Sequence, residues 1–227
     1  MNTWISIEVA DGHKLGAFQA LPQGHCLGGL VVLQEIFGVN KHIQNCAATW
    51  AQKGWMAVAP CLFDRYQPGL ELGYAPADIQ VGMSLVKREN AIPSALTDIA
   101  ATVRYLSDQL PGKKIGVLGY CYGGTLAWLS AGNLPVAAAV AYYGGYIAQS
   151  LSVIPKCPVM MHFGRLDQHI PTTDVERIGK SHPAAQIFVY EADHGFNCDQ
   201  RASFNPEAAA LAQQRSSDFL HTHLSAK

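Results

Sequence analysis

A cysteine occupies the central position of the segment Gly119-Tyr120-Cys121-Tyr122-Gly123. The pattern Gly-x-nucleophile-x-Gly is typical of a sharp turn from a strand into a helix, which presents the central side chain at its tip. Glycines two residues before and after the centre avoid a collision that larger residues would cause there. The turn also places Cys121 at a helix N-terminus, where the positive end of the helix favours a thiolate. The segment predicts a nucleophilic thiol, with an incidental cysteine in a glycine-rich turn as the alternative.

A thiol nucleophile of this kind needs a histidine base and a carboxylate that orients the histidine. Asp167 follows the strand-like run 159–163, and His194 follows the strand-like run 186–190. Both residues therefore lie on loops after strand ends, in the chain order nucleophile, acid, histidine. We predict that Cys121, Asp167 and His194 form a catalytic triad.

Other residues could replace members of this triad. Asp174 and Asp193 are alternative acids. Asp193 is adjacent to His194 in the chain, which makes a side-chain bond across the imidazole awkward, so we favour Asp167. His162 lies inside a predicted strand and is interpreted as a hydrogen-bonded core histidine.

The loop Gln34-Glu35-Ile36-Phe37-Gly38 follows the first buried strand. The N–H groups of Ile36 and Tyr122 are the natural pair of donors for an oxyanion hole. An acidic residue beside a thiol disfavours the thiolate unless the two charges are coupled, which makes Glu35 a candidate for control of Cys121. The alternative is an exposed loop carboxylate.

The elements that must position these residues alternate between strand and helix. Apolar runs and turn signals predict strands over 4–9, 14–21, 30–33, 55–59, 115–118, 136–142, 159–163 and 186–190. Amphipathic spacing and caps predict helices over 40–53, 93–110, 125–131, 173–182 and 205–224, with 64–90 irregular. Such alternation predicts an α/β fold with a mainly parallel central sheet and helices on both faces.

The composition limits the class of protein further. The 227 residues are 49% hydrophobic with a formal net charge of −1, which predicts one domain over 1–227 and gives no reason to expect nucleic acid or a membrane as partner. No signal peptide or membrane span is readable, so we expect a cytoplasmic protein, monomeric or a small homo-oligomer. Six cysteines without a C-x-x-C pair predict free thiols and argue against a zinc knuckle or a thioredoxin-type dithiol.

Four segments, containing the Glu35 loop, the Cys121 turn, Gly164-Arg165-Leu166-Asp167 and His194-Gly195-Phe196, together resemble the dienelactone hydrolase (carboxymethylenebutenolidase) family. The resemblance runs over nearly the whole chain. It implies a compact α/β-hydrolase without a large cap domain, a Cys-His-Asp triad, and interaction of Glu35 with the Cys121 thiol. It also implies hydrolysis of a cyclic enol ester in the degradation of aromatic compounds, without a metal or organic cofactor.

The chain departs from the resemblance where a substrate carboxylate would bind. An arginine is expected four residues after the histidine, but Cys198 is there and the nearest arginine is Arg201. A second arginine is expected before the helix 93–110, where the chain offers Lys87 and Arg88.

We therefore predict substrate contacts from Arg201, Phe37 and Tyr120, with a small lactone or ester as substrate. The alternatives are a broad-specificity carboxylesterase for neutral esters and a non-catalytic small-molecule-binding or redox thiol protein of the same fold.

Overall fold

The computed structural model describes residues 2–225, and its central feature is an eight-stranded sheet. The strands are β1 (Asn2–Glu8), β2 (Lys14–Ala20), β3 (Gly28–Leu33), β4 (Trp55–Pro60), β5 (Ile115–Tyr120), β6 (Ala138–Tyr142), β7 (Val159–Gly164) and β8 (Gln186–Tyr190). Their order across the sheet is β1-β2-β4-β3-β5-β6-β7-β8. The pairs from β4 to β8 are parallel, whereas β2 pairs antiparallel with both β1 and β4.

The central strands are apolar on both faces because helices cover both sides. Every residue of β3, β4 and β5 is buried. Near-continuous apolar runs of this kind are typical of parallel strands inside an α/β fold. The carboxyl ends of the parallel strands meet at one edge of the sheet, which is where such folds place their functional loops.

Within residues 2–225 the chain forms six α-helices. They are α1 (Lys41–Gln52), α2 (Pro76–Val86), α3 (Ala91–Gln109), α4 (Tyr122–Asn133), α5 (Thr172–Ser181) and α6 (Pro206–Leu224). α3 and α4 pack together on one face. α1 and α6 border a shared cavity, and right-handed crossovers place them on the opposite face. None of these helices is long and apolar enough to cross a lipid bilayer.

The structure confirms the predicted α/β fold class and differs in one element. All eight predicted strands are present, and residues 2–225 contain no insertion of the size of a large cap domain. The helix α2 lies within the segment 64–90 that was predicted to be irregular. The helix α4 begins at Tyr122, three residues before the predicted start, because it follows the Cys121 turn without a break.

Candidate active site

The turn from β5 into α4 holds Cys121 in an uncommon backbone conformation, with φ 54° and ψ −113°. A positive φ is sterically costly for any residue with a side chain. The flanking glycines allow this turn, because a β-carbon at Gly119 would collide with the carbonyl oxygen of Gly123. A β-carbon at Gly123 would collide with the carbonyl oxygen of Leu33 on the neighbouring strand. The Cys121 side chain is thereby held at the carboxyl end of β5.

His194 lies between Cys121 and Asp167. Its Nε2 is 3.1 Å from the Cys121 sulfur, and its Nδ1 is 2.6 Å from Oδ2 of Asp167. The other oxygen of Asp167 accepts the backbone N–H groups of His169 and Ile170, at 2.8 and 3.2 Å. A carboxylate fixed in this way holds the imidazole in one orientation. The structure thus brings the three residues of the predicted triad into one line of contacts.

The surroundings of His194 favour its protonated form. Burial alone would lower the pKa of His194, but the neighbouring Cys121 sulfur and the hydrogen bond to Asp167 raise it from 6.5 to about 10. A protonated imidazole beside the sulfur stabilises a thiolate, which is the nucleophilic form of cysteine. The arrangement is suited to attack on a carbonyl carbon at neutral pH.

The two alternative acids have other partners. Oδ1 of Asp193 accepts the backbone N–H of His194 at 2.6 Å, so this carboxylate lies beside the main chain of His194. Asp174 lies on α5 and pairs with Arg177 at 2.8 Å. The carboxylate that contacts the His194 ring is that of Asp167.

His162 is a core histidine, in agreement with its position inside β7. It is 0% exposed, and its two ring nitrogens lie 2.8 Å from the Tyr190 hydroxyl and 2.9 Å from the Ser216 hydroxyl. Burial and the charge of Arg215 lower the pKa of His162 to about 3. The ring is therefore neutral and structural.

Two backbone N–H groups are available for an oxyanion. Among the described residues, no acceptor takes the N–H of Ile36 or that of Tyr122. The loops that carry them are tied together, because the N–H of Gly123 donates to the carbonyl of Gln34 at 3.0 Å. The helix α2 supports the Ile36 loop closely, since a β-carbon at Gly82 would collide with the Ile36 carbonyl oxygen. This geometry fits the predicted oxyanion donors.

Glu35 is buried, which rules out the exposed loop carboxylate. It is 1% exposed, and neither of its oxygens has a hydrogen-bond partner in the part of the chain that the structure describes. Nη1 of Arg201 lies 3.5 Å from one of them. No hydrogen bond joins Glu35 to the Cys121 thiol among the described residues, and the sulfur contacts His194.

Arg201 and Phe37 lie at one cavity, of about 590 Å³, which Tyr74, Asp193 and Gln200 also line. The Arg201 guanidinium lies 5.9 Å from the centre of the Phe37 ring. Burial would lower the pKa of Arg201, but Glu35 and Cys121 raise it, so its charge is stabilised by acidic neighbours. These are the predicted substrate contacts that the structure brings together.

The other predicted cations, Lys87 and Arg88, and the predicted contact Tyr120 do not line the cavity of Arg201 and Phe37. The guanidinium of Arg88 packs on the ring of Tyr66 at 4.7 Å, and Lys87 is exposed at the end of α2. Tyr120 is 2% exposed, and its ring packs between Tyr142 and His42. Because successive residues of a strand point to opposite faces, its side chain is directed into the core. Tyr120 is thus buried, and it lines a different cavity from the one that Arg201 and Phe37 line.

Tyr143 is a neighbour of the triad that sequence reasoning missed. It follows β6 with φ 37°, and its ring centre is 5.1 Å from that of His194. Its hydroxyl is buried and has no hydrogen-bond partner among the described residues. The available signal was its position directly after a parallel strand, at the edge that carries Cys121.

Comparisons with known proteins agree with this geometry. Residues 15–224 match the model of the dienelactone hydrolase family. A putative carboxymethylenebutenolidase of Synechocystis is 37% identical over 213 residues, 86% of each chain, and the carboxymethylenebutenolidase of Pseudomonas putida is 34% identical over 95% of this chain and 94% of its own. The crystal structure of a putative dienelactone hydrolase from Klebsiella pneumoniae superposes with a TM-score of 0.85 at 29% identity, over 98% of this chain and 99% of the other.

Proposed function

Because this chain belongs to the dienelactone hydrolase family, it is a hydrolase of ester or lactone bonds, and we propose that it cleaves them through an acyl-enzyme on Cys121. Support comes from the line of contacts from the Cys121 sulfur to His194 at 3.1 Å and from His194 to Asp167 at 2.6 Å. A thiol, its base and an orienting carboxylate are the parts that nucleophilic acyl transfer needs.

The reaction proceeds in two steps. The Cys121 sulfur attacks the carbonyl carbon, and the N–H groups of Ile36 and Tyr122 donate to the oxyanion. The C–O bond of the ester breaks, and His194 gives its proton to the leaving oxygen. In the second step His194 takes a proton from water, the hydroxide attacks the thioester carbon, and the C–S bond breaks. The products are a carboxylic acid and the restored thiolate.

We propose a small lactone that carries a carboxylate as the substrate. The support is a partly buried cation at a cavity that Asp193, the residue before His194, also lines, since Arg201 offers a planar pair of donors that suits a carboxylate. Phe37 supplies an apolar wall of the same cavity. A role in the degradation of aromatic compounds stays a prediction of the resemblance.

A carboxylesterase for neutral esters is the second candidate. One observation favours it, namely that Arg201 already lies 3.5 Å from Glu35. This carboxylate partly compensates the guanidinium charge, so the positive potential that remains for a substrate is reduced.

Hydrolysis assays with matched substrates test the proposal. The wild type and the variants Cys121→Ala and His194→Ala are assayed against a carboxylate-bearing enol lactone, a neutral lactone and a chromogenic ester. We expect hydrolysis by the wild type, loss of roughly 10³-fold or more in kcat in both variants, and a preference for the charged lactone. Mass spectrometry of the quenched wild type should find the acyl group on the peptide that contains Cys121.

The outcomes separate the candidate functions. Equal kcat/KM for charged and neutral substrates would favour the carboxylesterase. Full activity of Cys121→Ser would contradict the thiol mechanism. The absence of hydrolysis across all substrates, with a Cys121 that is oxidised by peroxide or binds the ligand unchanged, would support the redox or binding protein of the same fold.

We further propose a reducing compartment such as the cytoplasm, which is supported by six cysteines that are all free thiols. A net charge of −1 gives no basis for binding nucleic acid, and a monomer or small homo-oligomer is the expected assembly.

A further inference from the structure

Behind the candidate catalytic thiol lies a second cluster of potential ligands, Glu35, His42 and Cys198. They come from the loop after β3, from the first turn of α1 and from the loop before α6. One ligand atom of each lies within 4.8 Å of the other two. Their exposed fractions are 1%, 3% and 0%. Three distant parts of the chain thus bring an oxygen, a nitrogen and a sulfur donor to one buried point.

The carboxylate of this cluster lacks the partners that a buried charge needs. Both oxygens of Glu35 are without a hydrogen bond in residues 2–225. Arg201 approaches one of them, but at 3.5 Å. A buried carboxylate with one ion pair at 3.5 Å and no hydrogen bond can accept a further cationic partner, and the side of Glu35 that faces His42 and Cys198 is open to one.

The donor set indicates which cation. Thiolate, imidazole and carboxylate are ligands of zinc, whereas magnesium and calcium prefer oxygen alone. We propose that Glu35, His42 and Cys198 bind a zinc ion. Tetrahedral zinc with bonds of about 2.0–2.3 Å separates its ligand atoms by roughly 3.5 Å, so the three side chains need to approach by about 1 Å.

The surroundings of His42 carry a negative potential. The Glu35 carboxylate belongs to the same cluster as the His42 ring, and Oδ1 of Asp199 lies 3.2 Å from Nδ1 of that ring. These two carboxylates stabilise a metal cation beside the imidazole. On binding, the sulfur–zinc bond forms, and the protons of the Cys198 thiol and of His42 go to solvent.

One of the three proposed ligands, His42, borders a cavity that Cys121 does not line. His42 lines a cavity of about 280 Å³ together with Cys46 and Asp199. The Asp199 side chain is 57% exposed, and its Oδ1 lies 3.2 Å from Nδ1 of His42. The Asp199 carboxylate attracts cations to this side of His42.

Cys46 is the main competitor of Cys198 for the role of thiolate ligand, because its sulfur lies 3.6 Å from Nε2 of His42. It lies outside the set of three atoms that are within 4.8 Å of one another. Cys198 has a hydrogen-bond contact with the Tyr74 hydroxyl at 3.2 Å, which zinc binding would break. The test must therefore separate the two cysteines.

The experiment measures metal binding to the full chain that carries Cys121→Ala, because Cys121 and His194 could themselves hold zinc. The protein is stripped with a chelator, kept reduced, and titrated with zinc by calorimetry and with cobalt(II) by absorption. We expect one metal ion per chain and a thiolate-to-cobalt charge-transfer band. This result does not depend on hydrolysis, so failure of the metal site and failure of the proposed function are distinguishable.

Further substitutions in the same background identify the ligands. Cys198→Ser and His42→Gln should each weaken zinc binding at least tenfold, and Cys198→Ser should abolish the cobalt band. Cys46→Ser and Cys157→Ser are matched controls that should keep both. Circular dichroism checks that every variant is folded. Anomalous scattering at the zinc edge from crystals of Cys121→Ala locates the ion without any substitution among the proposed ligands.

Two results would overturn the proposal. The first is the absence of stoichiometric binding in Cys121→Ala. The second is binding that survives Cys198→Ser and is lost in Cys46→Ser, or an anomalous peak away from the three side chains.

Discussion

The guanidinium of Arg201 lies directly against Gly195, the residue that follows His194. A β-carbon at position 195 would collide with Nη1 of Arg201. Gly195 also has φ +77°, which glycine adopts readily. The glycine after the histidine thus does two things, since it allows the turn after His194 and leaves room for the arginine beside the triad.

Replacing Arg201 should raise KM for carboxylate-bearing substrates much more than KM for neutral ones. We expect Arg201→Gln to raise KM for a carboxylate-bearing lactone about 10- to 100-fold, because a hydrogen bond to a charged group is worth about 1.5–3 kcal/mol. KM for a neutral ester should change by less than about twofold. Steady-state kinetics of both substrates check this, with exposed Arg177→Gln as control. Equal losses on both substrates would contradict a carboxylate-binding role.

The carboxylate of Asp167 should be needed for catalysis and that of its rival Asp193 should not. We expect Asp167→Asn to lower kcat by roughly 10³- to 10⁴-fold, because an amide can no longer hold the imidazole in the required tautomer. Asp193→Asn changes a carboxylate that accepts the backbone N–H of His194 and does not bond to its ring, so its kcat should stay within about tenfold of the wild type. A reversed order of the two effects would assign the role of acid to Asp193.

A methyl group on α2 should disturb the oxyanion loop. Gly82→Ala places a β-carbon against the Ile36 carbonyl oxygen, so the loop that carries the Ile36 N–H must move. We expect kcat to fall by roughly tenfold or more, with a smaller change in KM. Gly179→Ala is the matched control, because it lies in α5 and its β-carbon would make only ordinary contact with Ile187. An unchanged kcat in Gly82→Ala would show that this support is dispensable.

The protonation of His194 should depend on the catalytic sulfur. Nuclear magnetic resonance titration of the wild type should find the imidazole protonated until about pH 10, in keeping with the raised pKa of His194. In Cys121→Ala the charge of the sulfur is gone, and the pKa should move down. Cys157→Ser should leave the pKa of His194 unchanged. The same value in wild type and Cys121→Ala would argue against a thiolate–imidazolium pair.

His162 should make the fold sensitive to acid. Its pKa is lowered to about 3 in the folded chain, whereas an unfolded chain binds the proton near 6.5. Its contribution to stability is therefore complete above 6.5 and lost as pH falls from 6.5 towards 3, at up to about 1.4 kcal/mol per pH unit. Urea unfolding in this range should show a shallower pH dependence for His162→Gln than for wild type. The exposed His25→Gln should match the wild type.

Much of the fold was predictable because its signals are local. The apolar runs of the parallel strands and the regular spacing of α3 are visible in the sequence. The helix α2 was not, since it buries only Gly82 and Leu85 and therefore lacks an apolar stripe. A glycine in its interior and the glycines around it also lower its helix propensity. Its sequence cues are Pro76 at the first helical position and Asp78, whose side chain accepts the N–H of Ala75 at 3.0 Å.

The part of the site that follows from the order of residues along the chain, namely the triad, was predictable from the sequence. Cys121, Asp167 and His194 follow the parallel strands β5, β7 and β8 in that order, so the topology alone brings them to one edge of the sheet. The surroundings of Glu35 could not be predicted in this way. They depend on how the first turn of α1, which carries His42, and the loop before α6, which carries Cys198 and Arg201, pack against the Glu35 loop. No residue spacing in the sequence predicts that packing.

The backbone at Cys121 shows that catalysis and stability select different residues there. A left-handed conformation costs a residue with a β-carbon of order 1–3 kcal/mol. Glycine would relieve this strain, yet it has no sulfur and could not react. The residue at position 121 therefore lowers the stability of the fold and is kept for its reactivity. Selection for stability alone would favour glycine at this position and give an inactive protein.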